Sequence, residues 1–205
     1  MTISYLKPFA DWLSISYPTS LSPHLDIVSL FTTISPLDYT DLGGAKELYK
    51  STSGGSLFIT SKDSYVNLSI SGLLLSQARD SEHYRTFLEL LASAPYNITR
   101  LDVAYDTPLA GPLSIQRIRG IYPTGHAQVA TRQRQLQYIL NQLNDGTDTG
   151  TVYFQNNKYK GTIKLRVYDK AHQMIQEHST AINPTTRYEL SVCRGASLSD
   201  FENPA

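Results

Sequence analysis

Three segments of this chain alternate with the two-residue period of a β-strand, yet put charge where a plain core strand puts aliphatic side chains. In Asn97–Asp106 (NITRLDVAYD), Ile98, Arg100, Asp102, Ala104 and Asp106 share one face, and Thr99, Leu101, Val103 and Tyr105 the other. In Thr162–Tyr168 (TIKLRVY), Arg166 and Tyr168 line one face, which Lys170 extends; in Thr186–Val192 (TRYELSV), Arg187, Glu189 and Ser191 do. Buried charge is costly without a partner charge or a metal, so these faces belong together or in water. If the three strands are neighbours, their faces form one cluster.

The remaining segments set the fold class. Asp11–Tyr17 (DWLSISY) alternates Trp12, Ser14 and Ser16 against Leu13, Ile15 and Tyr17 and stops at a proline, as a strand does. A short helix is expected from Pro23 to Ile34, with Ser22 as its N-cap and Pro23 in the first helical position. Gly55–Ser61 and Tyr65–Ser71 are β-rich runs around a polar turn and predict a hairpin. Ser81–Ala94 spaces Tyr84, Phe87, Leu88 and Leu91 as a helix ending before Pro95. Gly111–Gly120 and Lys170–His178 read as helices, Thr151–Gln155 as a strand and Asn144–Gly150 as a loop, while Gln133–Leu143 fits helix or strand. Strands outnumber helices and short turns join many of them. The expectation is an α+β chain with a central, largely antiparallel sheet flanked by helices, in one domain spanning 1–205 because no linker divides it.

Composition removes several function classes. The single Cys193 forms no internal disulfide, and five scattered histidines give no zinc-finger spacing. No apolar run approaches a bilayer span, and the N-terminal segment lacks the plan of a secretory signal, so the chain reads as cytoplasmic with no membrane partner. Eighteen basic against eighteen acidic residues argue against a nonspecific nucleic-acid coat. The mean hides a distribution, because residues 100–170 hold ten Lys and Arg against five Asp and Glu. That central third suits a polyanion locally, though random clustering on a solvated surface gives the same count.

The expected cluster has a definite chemistry. Hard carboxylate oxygens suit Mg²⁺ or Mn²⁺ rather than zinc, and a metal there would polarise a phosphoryl oxygen while a tyrosine hydroxyl attacks. Lys170 or an arginine would stabilise the developing charge. The same residues also suit plain packing and cross-strand surface pairs. Tyr159 and Tyr188 stay open as nucleophiles, Tyr188 less so because it points away from Glu189 on its strand.

The order TRLDVAYD (Thr99–Asp106), TVYFQNNKYKGTIKLRVYDKAHQ (Thr151–Gln173) and RYELSV (Arg187–Val192), preceded by DWLSISY, resembles rolling-circle replication initiators of plasmids and filamentous phages. This is the replication initiation factor (Rep_trans) family, whose members look like divergent HUH endonucleases. The resemblance implies an antiparallel sheet flanked by helices, a divalent metal, and a tyrosine that nicks one strand of single-stranded or hairpin origin DNA. It implies Tyr168 as nucleophile, assisted by Lys170 and Arg166, with Asp102, Glu189 and, less strongly, Asp106 as ligands of Mg²⁺ or Mn²⁺. Arg100, Lys158, Lys160, Lys164 and Arg187 would contact DNA, and the host helicase and polymerase would be partners. The chain lacks the His-hydrophobic-His triplet of the wider superfamily, so the strand bearing Asp102 and Ala104 supplies at most one ligand at those two positions. It also stops soon after the RYEL strand, where family members often continue, as a truncated or short relative would. A regulatory protein that binds an origin or hairpin without cutting it is the alternative.

Overall fold

In the computed structural model the described residues are 7–108, 114–121, 136–139, 151–155, 163–178, 181–183, 185–193 and 195–202. The chain gathers into two compact units, the first Ala10–Asp102 with Cys193–Ala205, the second Met1–Phe9 with Val103–Val192.

The sheet of the first unit is built from β1 (Phe9–Pro18), β2 (Leu37–Asp41), β3 (Lys46–Ser51), β4 (Ser56–Ser61), β5 (Tyr65–Ser71) and the start of β6 (Asn97–Pro108), in the order β2-β3-β4-β5-β1-β6. Alternation decides which face is buried. Leu13, Ile15 and Tyr17 of β1 stand opposite Ile70, Leu68 and Val66 of β5, and Leu57 and Ile59 of β4 continue those rows. All eight are at most 1% exposed. Four helices serve this unit: α1 (His24–Ile34), α2 (Gly72–Arg79), α3 (Tyr84–Leu91) and α6 (Leu198–Glu202). Phe87 of α3 packs edge-on against Phe31 of α1 at 5.3 Å and against Phe201 of α6 at 6.3 Å. The Tyr17 hydroxyl donates to the Leu91 carbonyl at 2.9 Å, tying β1 to the end of α3.

The second unit orders the rest of β6, β10 (Thr185–Val192), β9 (Ile163–Asp169), β8 (Thr151–Gln155) and β7 (Leu136–Ile139) as β6-β10-β9-β8-β7, with α4 (Ile115–Ile121) and α5 (Lys170–His178). Ile115, Val152 and Val167 form its apolar cluster, joined by Ile118, Leu165 and Tyr188. The pairings of β1 with β5, of β2 through β5 in series, and of β7 through β10 across this unit are antiparallel. The chain is α+β, as its alternating segments lead one to expect.

Local chemistry explains the departures. Pro23 takes the N-cap position in place of Ser22, and α1 starts at His24, whose Nδ1 lies 3.0 Å from the Ser22 hydroxyl. The helix expected over 81–94 is confined to Tyr84–Leu91, because the Ser81 hydroxyl donates back to the Ala78 carbonyl and closes a turn. The hairpin of β4 and β5 closes as expected, with the Lys62 N–H donating to the Tyr65 carbonyl at 2.8 Å. The Gly111–Gly120 helix is α4, and Gln133–Leu143 contains β7. The loop expected at 144–150 lies outside the described residues. Among the described residues no helix is long and apolar enough to cross a membrane.

Candidate functional site

β9 and β10 pair so that Tyr168 stands opposite Arg187, Arg166 opposite Glu189 and Lys164 opposite Ser191. Directly opposed residues point to the same side, so the polar faces of these two strands coincide, and Val167 and Tyr188 are turned to the apolar cluster. Glu189 is fully buried. Its Oε2 accepts hydrogen bonds from the Tyr168 hydroxyl at 3.0 Å and from Arg166 Nη2 at 2.6 Å. The Arg166 guanidinium also lies 5.0 Å from the centroid of the Tyr168 ring. The phenol is thus held between a base that can take its proton and a cation that would stabilise the phenolate. Tyr168 is 6% exposed, so its hydroxyl sits in a covered but polar setting.

The other two acids expected in the site are paired as well. Asp106 on β6 holds Arg187 in a two-pronged ion pair, with Arg187 Nε and Nη2 each 2.7 Å from a carboxylate oxygen. Arg187 also lies over the Phe9 ring at 5.1 Å. Asp102, 1% exposed, is bound by both Arg100 Nε, at 2.9 Å, and Arg100 Nη2. Asp102 and Arg100 belong to the first unit, whereas Asp106, Arg166, Tyr168, Arg187 and Glu189 belong to the second. Lys170 opens α5 and donates to Gln173 Oε1 at 2.9 Å, while Asp169 accepts the His172 N–H at 3.0 Å and fixes the start of that helix. Lys164 is exposed. Lys158, Lys160 and Tyr159 lie outside the described residues. Tyr188 is pushed up to about 12 by burial, with Tyr105 adding to the rise.

Two features escape the strand-by-strand reading. His172 follows Tyr168 by four residues, in the first turn of α5, and its Nε2 is buried with no hydrogen-bond partner among the described residues. Trp12 donates its Nε1–H to the Ser14 hydroxyl at 2.8 Å and lies 5.2 Å beneath the Arg100 guanidinium. The alternation of DWLSISY already put Trp12, Ser14 and Ser16 on one side, but nothing in the sequence joined them to Arg100.

The donors suit a hard divalent cation in kind, being carboxylate oxygens. Their arrangement does not. Each acid already carries a guanidinium, and among the described residues no group of three or more His, Cys, Asp or Glu side chains is placed to hold a metal. A Mg²⁺ or Mn²⁺ ion would have to displace or share those arginines, so the described residues do not by themselves make its centre.

No family model matches the sequence, and no curated protein matches it significantly. By fold the chain is similar to the rolling circle replication initiator protein from Geobacillus stearothermophilus, with a TM-score of 0.66 over 92% of this chain and 74% of that one. The two are 20% identical, and the likeness is one of fold.

Proposed function

We propose that this chain is a rolling-circle replication initiator that nicks and rejoins one strand of origin DNA through Tyr168. The observation that carries the proposal is the 3.0 Å hydrogen bond from the Tyr168 hydroxyl to Glu189, with Arg166 touching both. It is read together with a fold similar to that of a replication initiator.

A phenol has an ordinary pKa of about 10 and is mostly protonated at neutral pH, so it needs a base at hand. In the proposed step Glu189 takes the proton as the Tyr168 oxygen attacks the scissile phosphorus. The bond from phosphorus to the 3′ oxygen breaks, the 5′ phosphate stays on the tyrosine, and the 3′ oxygen leaves as a hydroxyl. The net proton transfer is from phenol to 3′ oxygen, and the phosphodiester energy is conserved for rejoining. Arg166 steadies the phenolate, while Arg187, which stands opposite Tyr168 and is held in orientation by Asp106, and Lys170, two residues after the tyrosine, receive phosphate charge. Single-stranded or extruded hairpin DNA is the substrate, because a tyrosine on a sheet needs a backbone laid across it. A host polymerase would extend the 3′ hydroxyl, with a host helicase opening the duplex ahead of it.

A second reading has its own support. Tyr168 is nearly covered and each acid is matched to an arginine, as in a cluster kept for fold rather than chemistry. The chain would then bind an origin or hairpin without cutting it. A labelled single-stranded origin oligonucleotide separates the two, run with Mg²⁺, with Mn²⁺ and with chelator. The enzyme gives a cleaved strand and a covalent protein adduct that disappear in Tyr168→Phe. A binding module shifts the strand uncut. An adduct that persists in Tyr168→Phe and vanishes on changing Tyr159 or Tyr188 transfers the nucleophile to that residue.

A further inference from the structure

The arginines of β6, β9 and β10 are each held twice, by an acid that takes hydrogen bonds and by an aromatic ring under the cation. Arg166 meets Glu189 and lies over the Tyr168 ring, and Arg100 meets Asp102 and lies over Trp12. Arg187 meets Asp106 and lies over Phe9. Of the three rings only Tyr168 has a proposed part in the chemistry. Phe9, Asp106 and Arg187 belong to the same unit as Tyr168, so the third arrangement bears on the site directly.

Arg187 stands opposite Tyr168 in the register of β9 and β10. Its Nε and Nη2 each lie 2.7 Å from a different Asp106 oxygen, which fixes the guanidinium within the plane of the fork. That pair by itself still lets guanidinium and carboxylate swing together on two side chains. The Phe9 ring, its centroid 5.1 Å from the guanidinium carbon, opposes the swing. The attraction is electrostatic as well as steric, because the negative face of the ring draws a cation, and more strongly where water is excluded. Arg187 is only 7% exposed. Phe9 is half-buried and stands outside the apolar cluster of Ile115, Val152 and Val167, so filling that core is not its task. A cation oriented in advance stabilises developing charge with no reorganisation at the moment of reaction.

We infer that Phe9 is a positioning residue for the nicking reaction: its ring and the Asp106 carboxylate together preset Arg187 opposite Tyr168, so that the scissile phosphate meets a cation already in place. The role in nicking rests on the function proposed above, whereas the restraint on Arg187 is a property of the free protein and can be measured without DNA.

Replacing Phe9 in the full chain by mono-, di- and trifluorophenylalanine keeps the shape of the ring and drains its negative face step by step. With a saturating, labelled single-stranded origin oligonucleotide, the logarithm of the single-turnover rate of adduct formation should fall linearly along the series, by about five- to tenfold at the trifluoro ring. The oligonucleotide concentration that gives half the maximal rate should stay the same. In the free protein, the Arg187 Nε–H, identified in nitrogen-labelled spectra by its loss in Arg187→Lys, should exchange with solvent faster in the same order. Phe9→Tyr keeps a ring and should behave like the wild type, and the same fluorinated series at Phe58, in the first unit, should move neither readout. A rate and an exchange that are both indifferent to fluorination at Phe9 overturn the inference and leave the nicking reaction standing. Faster exchange with an unchanged rate overturns it too, because Phe9 would then pack on Arg187 without serving the reaction. A wild-type protein that forms no adduct sinks the nicking reaction and the positioning role with it, and the exchange series then decides only whether the ring holds Arg187.

Discussion

Glu189 is the residue on which fold and proposed chemistry compete. A fully buried carboxylate is tolerable because Arg166 and the Tyr168 hydroxyl meet it, and in the proposed reaction the second of those contacts places it to accept the phenol proton. Glu189→Gln keeps the volume and removes the charge, leaving the guanidinium opposite a neutral amide. Because the Arg166 side chain is one-third exposed, the loss should fall near the low end for a broken buried pair, about 3 kcal/mol, read from urea unfolding. Tyr168→Phe removes one hydrogen bond to the same oxygen and should cost only about 1–2 kcal/mol while abolishing the adduct. A Tyr168→Phe protein that unfolds outright would make the tyrosine a packing residue. Which residues share a face of β9 and of β10 was legible, because alternation is a property of each strand by itself. The pairing of each acid with its own arginine was not: Arg100 reaches Asp102 two residues along one strand, and Arg187 reaches Asp106 across strands far apart in sequence.

Elements were legible in proportion to how much apolar surface they bury. β4 and β5 alternate buried and partly exposed residues, whereas β2 (LDYTD) is almost wholly exposed and β3 (KELYKS) buries mainly Leu48 and Ser51, so neither announces itself as a strand. α2 has only two turns and α6 only five residues, too few for a helical period to emerge. Each depends instead on a specific contact. At the first position of α2, a Cβ on Gly72 would stand 2.7 Å from the Asp11 carbonyl oxygen of β1, which as backbone cannot rotate away. Gly72→Ala should therefore cost about 1–3 kcal/mol despite its better helix propensity, seen as a lower urea midpoint. Ser197 immediately precedes α6, and its N–H and hydroxyl both donate to Asp200 Oδ2 at 2.7 Å. Those bonds lower the Asp200 pKa below its ordinary 3.8, so their stabilisation is present above that value and lost as pH falls through the depressed one. Asp200→Asn should melt earlier than the wild type at neutral pH, and the two melting temperatures should converge below about pH 3.8.

Across the whole molecule, equal numbers of acids and bases leave little net field to oppose folding at neutral pH, and the tyrosines become the deciding titratable set at high pH. There are fourteen. Tyr17 is raised well above its ordinary value by burial, with Tyr96 adding to the rise. Tyr49 is pushed up to about 12 by burial and by its hydrogen bond to Glu47, and Tyr188 to about 12 by burial and by Tyr105. A phenol whose folded pKa exceeds its unfolded 10 holds its proton longer in the native state, so the unfolded chain releases protons first. The stabilisation is complete below pH 10 and disappears as pH rises through about 12. Thermal melts should accordingly show a steep fall in Tm over that window. Tyr17→Phe separates the contributions: losing the bond to the Leu91 carbonyl should lower stability by about 1 kcal/mol at neutral pH, yet the variant should lose less than the wild type on going alkaline. An equal alkaline loss in both would mean that Tyr17 is not among the groups that drive it.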